Sequence, residues 1–203
     1  VDHTEVWMTT KLAGKNTYFL PFNQGSNGAG NDGGKGNPPN PNGYPTAYLW
    51  ENVLQKDSMM DIIKKFMNLK DGTTLIFPRY HQLDVVRKLL ANVRQNGAGH
   101  NYLIQHSAGR GKSNSIAWTA YRLASLFNAE NKPVFSSVVV VTDRTVLDAQ
   151  LQETISGFDH TLGAIETIGE DKTSKDLRDA INGGVRIIVT TLQKFPVIYQ
   201  EVD

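Results

Sequence analysis

Gln105-His106-Ser107-Ala108-Gly109-Arg110-Gly111-Lys112-Ser113 decides how this chain is read. The apolar triplet Tyr102-Leu103-Ile104 runs into it and reads as a strand. The spacing of Ile116, Ala120, Leu123 and Phe127 predicts an amphipathic helix running out of it from near Lys112. Strand, glycine turn, Gly-Lys-Ser and helix is the order of a phosphate-binding loop. Glycines let such a backbone curl with its N–H groups inward, forming a nest for an anion. The helix start adds free N–H groups and a partial positive charge. In this arrangement Lys112 reaches the β- and γ-phosphates and the Ser113 hydroxyl holds Mg²⁺. Ser107, Ala108, Gly109, Arg110 and Gly111 form the turn between them. His106 stands where the full pattern has glycine. The bland reading of the same text is a glycine turn ahead of an ordinary helix.

Working outward, the segments after the loop alternate. Ser137-Val138-Val139-Val140-Val141-Thr142 is a continuous apolar run, suited to a parallel strand covered on both faces. A helix over Val146 to Ile155 shows Leu147, Leu151 and Ile155. A strand follows over Ala164 to Ile168. Ser174 is placed to cap a helix with Leu177, Ala180 and Ile181 inward, and Val185 to Thr190 is a further buried strand. Strands alternating with helices define an α/β fold with a parallel sheet. Ligands gather at the carboxyl ends of such strands, where Ser107, Thr142 and Thr190 fall.

Before the loop, Arg79-Tyr80-His81-Gln82 opens a helix with Val86, Leu89, Leu90 and Val93 on one face. Thr73 to Phe77 is a short strand or extended arm. Ala47 to Leu69 is helical by period in two stretches, with Asp57 or Ser58 placed to cap a second helix and Asp71-Gly72 as its end. Asn23 to Pro45 is crowded with Gly, Asn and Pro and reads as a flexible loop. Glu5 to Thr10 and Thr17 to Phe22, separated by a segment able to turn, read as a β-hairpin.

The 203 residues carry a formal net charge of +1, 39% hydrophobic and 20% charged residues, the balance of a globular protein. Cysteine is absent, which excludes disulfides and thiolate chemistry and suits a cytoplasmic protein. No run is long enough to span a membrane. The five histidines are scattered without metal-ligand spacing. The chain begins with Val1 and stops soon after an apolar strand, so it reads as a segment of something longer.

Other residues have the chemistry of a nucleotide and nucleic-acid site. The Gln82 amide presents one donor and one acceptor, which pairs with an adenine edge; the alternative is a surface glutamine. Thr142, Arg144, Thr190 and Thr191 follow apolar strands, and hydroxyls with an arginine are usual contacts to a DNA backbone. Helix capping is the alternative for Thr142. Glu170-Asp171-Lys172, with Asp159 upstream, has the residue types of a metal-dependent nuclease, but it sits in a polar run and reads as a solvated turn.

The ordered set Val6-Trp7-Met8-Thr9-Thr10, Phe19-Leu20-Pro21-Phe22-Asn23, Asn37-Pro38, Tyr48-Leu49-Trp50, Phe77-Pro78-Arg79-Tyr80-His81-Gln82, Asn101 to Gly109 and Val140-Val141-Thr142-Asp143-Arg144 resembles the motor and nuclease (R) subunit of type I restriction endonucleases. These are helicase-like ATPases of superfamily 2. The resemblance covers nearly the whole chain; Arg110 replaces an expected serine, and the loop around 31–41 is long. It implies a RecA-like P-loop sheet over 73–203, stopping before an Asp-Glu-Ala-His motif. Residues 47–72 become a helical linker, and 1–46, hairpin and loop, become the end of an upstream nuclease domain. It implies ATP and Mg²⁺ as cofactors and double-stranded DNA as the track. Modification and specificity subunits are the implied partners. Lys112 and Ser113 carry over as phosphate and Mg²⁺ ligands, Gln82 as the adenine contact, and Thr142, Arg144, Thr190 and Thr191 as backbone contacts. The nuclease carboxylates are expected before Val1 and the Asp-Glu-Ala-His motif after Asp203, so catalytic residues are not expected within the segment. Glu201 and Asp203 do not replace them. The competing readings are a non-catalytic nucleotide- or subunit-binding fragment and another superfamily 2 helicase.

Overall fold

The computed structural model describes all residues except Asp71, Ala108, Arg110, 144–150, Glu153, 158–164, Glu170 and 196–203. The chain forms two compact units, Val1–Lys88 and Leu89–Asp203. The division falls inside a long helix.

In the first unit, β1 (Trp7–Met8) pairs antiparallel with β2 (Leu20–Pro21), with Trp7 opposite Pro21 and Met8 opposite Leu20. The pairing is two residues a side, far shorter than the apolar stretches that suggest it. The Gly/Asn/Pro segment that follows forms no helix or strand, as its composition dictates, but it is fastened rather than free. The Asn37 side chain accepts from the Gln24 N–H at 2.9 Å and donates to the Thr4 carbonyl at 2.9 Å and to Asn23 Oδ1 at 3.0 Å. Asn23 Oδ1 also accepts from the Val6 N–H at 2.8 Å. Two asparagines thus tie the loop to Thr4 and Val6, just ahead of β1.

The helical reading of 47–69 is corrected in three places. Leu49–Val53 is a π-helical turn, α1 is Lys56–Lys65, and Asn68–Lys70 is a strand, β3. Gln55, not Asp57 or Ser58, precedes the helix. β3 pairs antiparallel with β4 (Thr74–Ile76), Leu69 opposite Leu75. Helical periodicity ran on through Leu69 because a three-residue strand is too short to break the pattern. Ile62 and Phe66 are fully buried, each worth about 1.5–3 kcal/mol. Arg87, on α2 (Tyr80–Asn96), donates to Asp61 Oδ2 at 3.1 Å and to the Ser58 hydroxyl at 3.0 Å, with its guanidinium 5.9 Å from the Phe66 ring centre. An aromatic cluster joins Phe22, Tyr48, Phe77 and Tyr80: Phe22 meets Tyr80 edge-on at 5.6 Å, and Tyr48 meets it at 5.0 Å. Burial pushes the Tyr48 and Tyr80 hydroxyls above the usual phenol range; the Tyr48 hydroxyl donates to the Phe22 carbonyl.

The second unit holds the parallel sheet. Its strands are β5 (Val138–Thr142), β6 (Ile165–Ile168) and β7 (Ile187–Thr191), in the order β5-β7-β6. Val138 lies opposite Ile187, and Thr142 opposite Thr191. Helix α3 (Lys112–Ala124) lays Ala117, Ala120 and Ala124 against Val140, Ile187 and Val189, joined by Leu151 and Ile155. Small residues at that spacing bring the helix close to the sheet. Helix α4 (Ser174–Asn182) covers the opposite face with Leu177 and Ala180 against Ile168 and Ile188. Thr173, not Ser174, precedes α4, and Asp176 closes the cap by accepting from the Thr173 N–H at 2.6 Å and hydroxyl at 2.7 Å. Those bonds hold the Asp176 carboxyl below its ordinary range.

Two further expectations are corrected. β7 is buried along its whole length, but β5 is not covered on both faces: Val140 is buried while Val139 and Val141 are exposed. Among the described residues β5 and β6 are the two edges of this sheet, and α4 packs on β6 and β7. Tyr102-Leu103-Ile104 is not a strand. Leu103 is 93% exposed, and no strand among the described residues pairs with it; an extended segment without a ladder partner has nothing to fix it as a strand. The helix over Val146 to Ile155 falls partly outside the described residues; Leu151 and Ile155 are helical and buried.

Candidate functional site

The Gly-Arg-Gly-Lys-Ser turn sits at the head of α3. Gly111 is the residue before the helix, at φ +72° and ψ +42°, and Gly109 has φ +70°. Both conformations belong to the left-handed region that glycine adopts without strain. A Cβ on Gly109 would meet nothing within 4 Å. Among the described residues no side chain caps α3, and an uncapped helix start suits an anion. Lys112 folds back over the turn and donates from Nζ to the carbonyls of His106 at 3.0 Å and Ser107 at 3.2 Å. The ammonium is thereby tied to the residues that enter the turn. Together, an uncapped helix start, left-handed glycines and an anchored ammonium suit the phosphates of a nucleotide. Ser113 is the second residue of α3, which places a hydroxyl beside that ammonium along the chain, the donor type Mg²⁺ takes. Burial, and then the Lys112 charge, lower the His106 pKa. Ala108 and Arg110 lie outside the described residues.

Gln82 belongs to the first unit and is 3% exposed. It is not a surface glutamine. Its Oε1 accepts from the Arg79 N–H at 2.8 Å, closing the first turn of α2.

The threonine candidates divide. Thr142 and Thr191 stand side by side at the carboxyl ends of neighbouring strands. Beyond them, Gln193 Nε2 donates to the Asp143 carbonyl at 3.4 Å. Thr190 is fully buried, and among the described residues its hydroxyl has no hydrogen-bond partner. Thr190 and Thr191 point to opposite faces of β7, and both are buried. Alternation along the strand gives that result, since adjacent residues point to opposite faces. Arg144 lies outside the described residues.

Lys172 Nζ pairs with Glu166 Oε1 at 3.1 Å, which occupies the lysine of the Glu-Asp-Lys triplet; Glu170 lies outside the described residues. Among the described residues no group of three His, Asp or Glu could hold a metal ion, and no helix is long and apolar enough to cross a membrane. The carbonyl anchors of Lys112 were missed by sequence reasoning, because backbone acceptors leave no residue signature.

A glycine turn at the head of a helix packed on a parallel sheet defines an α/β class, and sequence comparison places the chain within it. The sequence model of the SWI2/SNF2 ATPase family matches residues 81–202; the chain belongs to that family. It is also similar to a Mycoplasma pneumoniae protein described as the C-terminal part of the endonuclease subunit of type I restriction enzyme MpnIIP. The two are 26% identical over 152 residues, covering 70% of this chain and 68% of the relative.

Proposed function

We propose that the chain is part of the restriction subunit of a type I restriction-modification system. It supplies the ATP phosphate-binding loop of a motor that moves double-stranded DNA and couples that movement to cleavage. The observation that supports this most is the Gly109–Ser113 turn, with Lys112 anchored to the His106 and Ser107 carbonyls at an uncapped helix start, inside the segment matched by an ATPase family. The restriction-enzyme relative supports the biological setting.

In this reading Lys112 pairs with the β- and γ-phosphates, the α3 N–H groups take the phosphate oxygens, and Ser113 holds Mg²⁺. The metal would neutralise charge on the phosphates. Gln82 is the adenine contact. Thr142, Arg144, Thr190 and Thr191 make up the DNA-backbone contact at the carboxyl ends of β5 and β7. Residues 73–203 make up a RecA-like ATP-binding domain, 47–72 a linker and 1–46 the end of a nuclease domain. The modification and specificity subunits are the partners in a cytoplasmic complex. Hydrolysis and cutting need carboxylates that the described residues do not place at the loop, so the test is binding. Calorimetric titration with Mg²⁺-ATP is expected to give saturable one-to-one binding that GTP does not match. Equal affinity for GTP removes the adenine role of Gln82, and no binding of either nucleotide refutes the proposal.

A further inference from the structure

The phosphate turn hangs between two supports of very different strength. On one side it runs directly into α3, whose alanines are buried against the sheet. On the other side lies the exposed segment Asn101 to Gln105, which has no strand partner among the described residues. Among the described residues a single hydrogen bond fastens that segment: the Tyr102 hydroxyl donates to Asn92 Oδ1 at 2.7 Å. The acceptor is itself held, because Asn96, one turn along α2, donates from Nδ2 to the same oxygen at 2.8 Å. Asn92 and Asn96 lie on the last turns of α2, a helix anchored there by buried Leu90 and Val93. Tyr102 stands four residues before His106, whose carbonyl holds Lys112.

We infer that Tyr102 and Asn92 are positioning residues for the phosphate turn: their hydrogen bond pins the chain that carries the His106 and Ser107 carbonyls, and through them the Lys112 ammonium. Without the pin, the entry to the turn samples more conformations, and the anchored geometry of Lys112 is populated for less of the time. A loop whose competent state is only partly populated binds its ligand more weakly by that fraction. The inference rests on the nucleotide-binding reading of the turn, but the pin itself is a property of the free chain.

Tyr102→Phe removes only the hydroxyl, and Asn92→Ala removes the acceptor. Asn92→Asp keeps an acceptor oxygen. One net hydrogen bond corresponds to about a threefold to tenfold change. Tyr102→Phe and Asn92→Ala are each expected to weaken Mg²⁺-ATP binding by about that factor. They should also speed amide exchange over residues 103–107 in the nucleotide-free chain and leave the melting temperature nearly unchanged, since the hydroxyl is at the surface. The double variant is expected to be no worse than either single one, and Asn92→Asp to retain most of the affinity. Unchanged exchange over 103–107 in Tyr102→Phe overturns the pin. Faster exchange with unchanged affinity shows a pin that does not position the turn and overturns the inference as well. Absence of nucleotide binding in the unaltered chain counts against the nucleotide reading instead, while the exchange measurement still decides the pin.

Discussion

Replacing Lys112 with alanine separates the two things the ammonium does. In the free chain Lys112 Nζ donates to two backbone carbonyls, at 3.0 and 3.2 Å, from an exposed side chain. Exposed polar contacts of this kind contribute under about 1 kcal/mol, because water replaces them. With phosphate in the turn the ammonium makes charge-assisted hydrogen bonds in a partly enclosed site, worth about 1.5–3 kcal/mol. At about 1.4 kcal/mol per decade that is roughly a 10- to 150-fold weaker Kd. Lys112→Ala is therefore expected to shift the urea midpoint little and to weaken Mg²⁺-ATP binding by one to two orders of magnitude. Denaturant melts and calorimetric titration on the same preparation measure both. A variant that binds Mg²⁺-ATP as tightly as the parent refutes the role given to Lys112. A variant that loses binding and stability in proportion refutes the separation of the two roles.

Three other outcomes follow from the packing. Thr190→Val removes a buried hydroxyl that has no partner among the described residues and keeps the shape, so urea melts should show a chain as stable or more stable by about 1 kcal/mol; a loss of stability would mean the hydroxyl is engaged. Trp118 is fully buried in α3, and Trp118→Ala should cost about 3–5 kcal/mol, read as a lower urea midpoint. His106 has its pKa lowered by burial and then by Lys112, so near pH 6 the unfolded chain binds more protons than the folded one. Its contribution is full above the unfolded value of about 6.5 and falls as pH drops through it, levelling off below the folded value. His106→Gln should flatten that part of the pH profile, and an unchanged profile would sink the assignment.

The parts of this chain legible in its sequence are those set by local chemistry. The valine run of β5 and the Ile-Ile-Val-Thr-Thr run of β7 gave a parallel sheet, because long apolar runs of branched residues have few other solutions. The turn was legible because Gly109 and Gly111 need a left-handed backbone and Lys112-Ser113 must open a helix. What depends on distant partners was not legible. The apolar triplet at Tyr102 has strand propensity, yet a strand exists only where another lies beside it. The exposure of Val139 and Val141 depends on how far α4 reaches across the sheet. β3 was absorbed into a helical period, and the asparagine ties of the Gly/Asn/Pro segment link residues up to 33 positions apart. Gln82 was recognisable as a candidate, but its bond to the Arg79 N–H is a property of the first turn of α2 and not of composition.

The most direct test of the central claim is an amide NMR titration of the chain with Mg²⁺-ATP. The account expects saturable shifts that begin at Gly109, Gly111, Lys112 and Ser113 and are lost in Lys112→Ala. Saturable shifts that leave these four amides unmoved would contradict it.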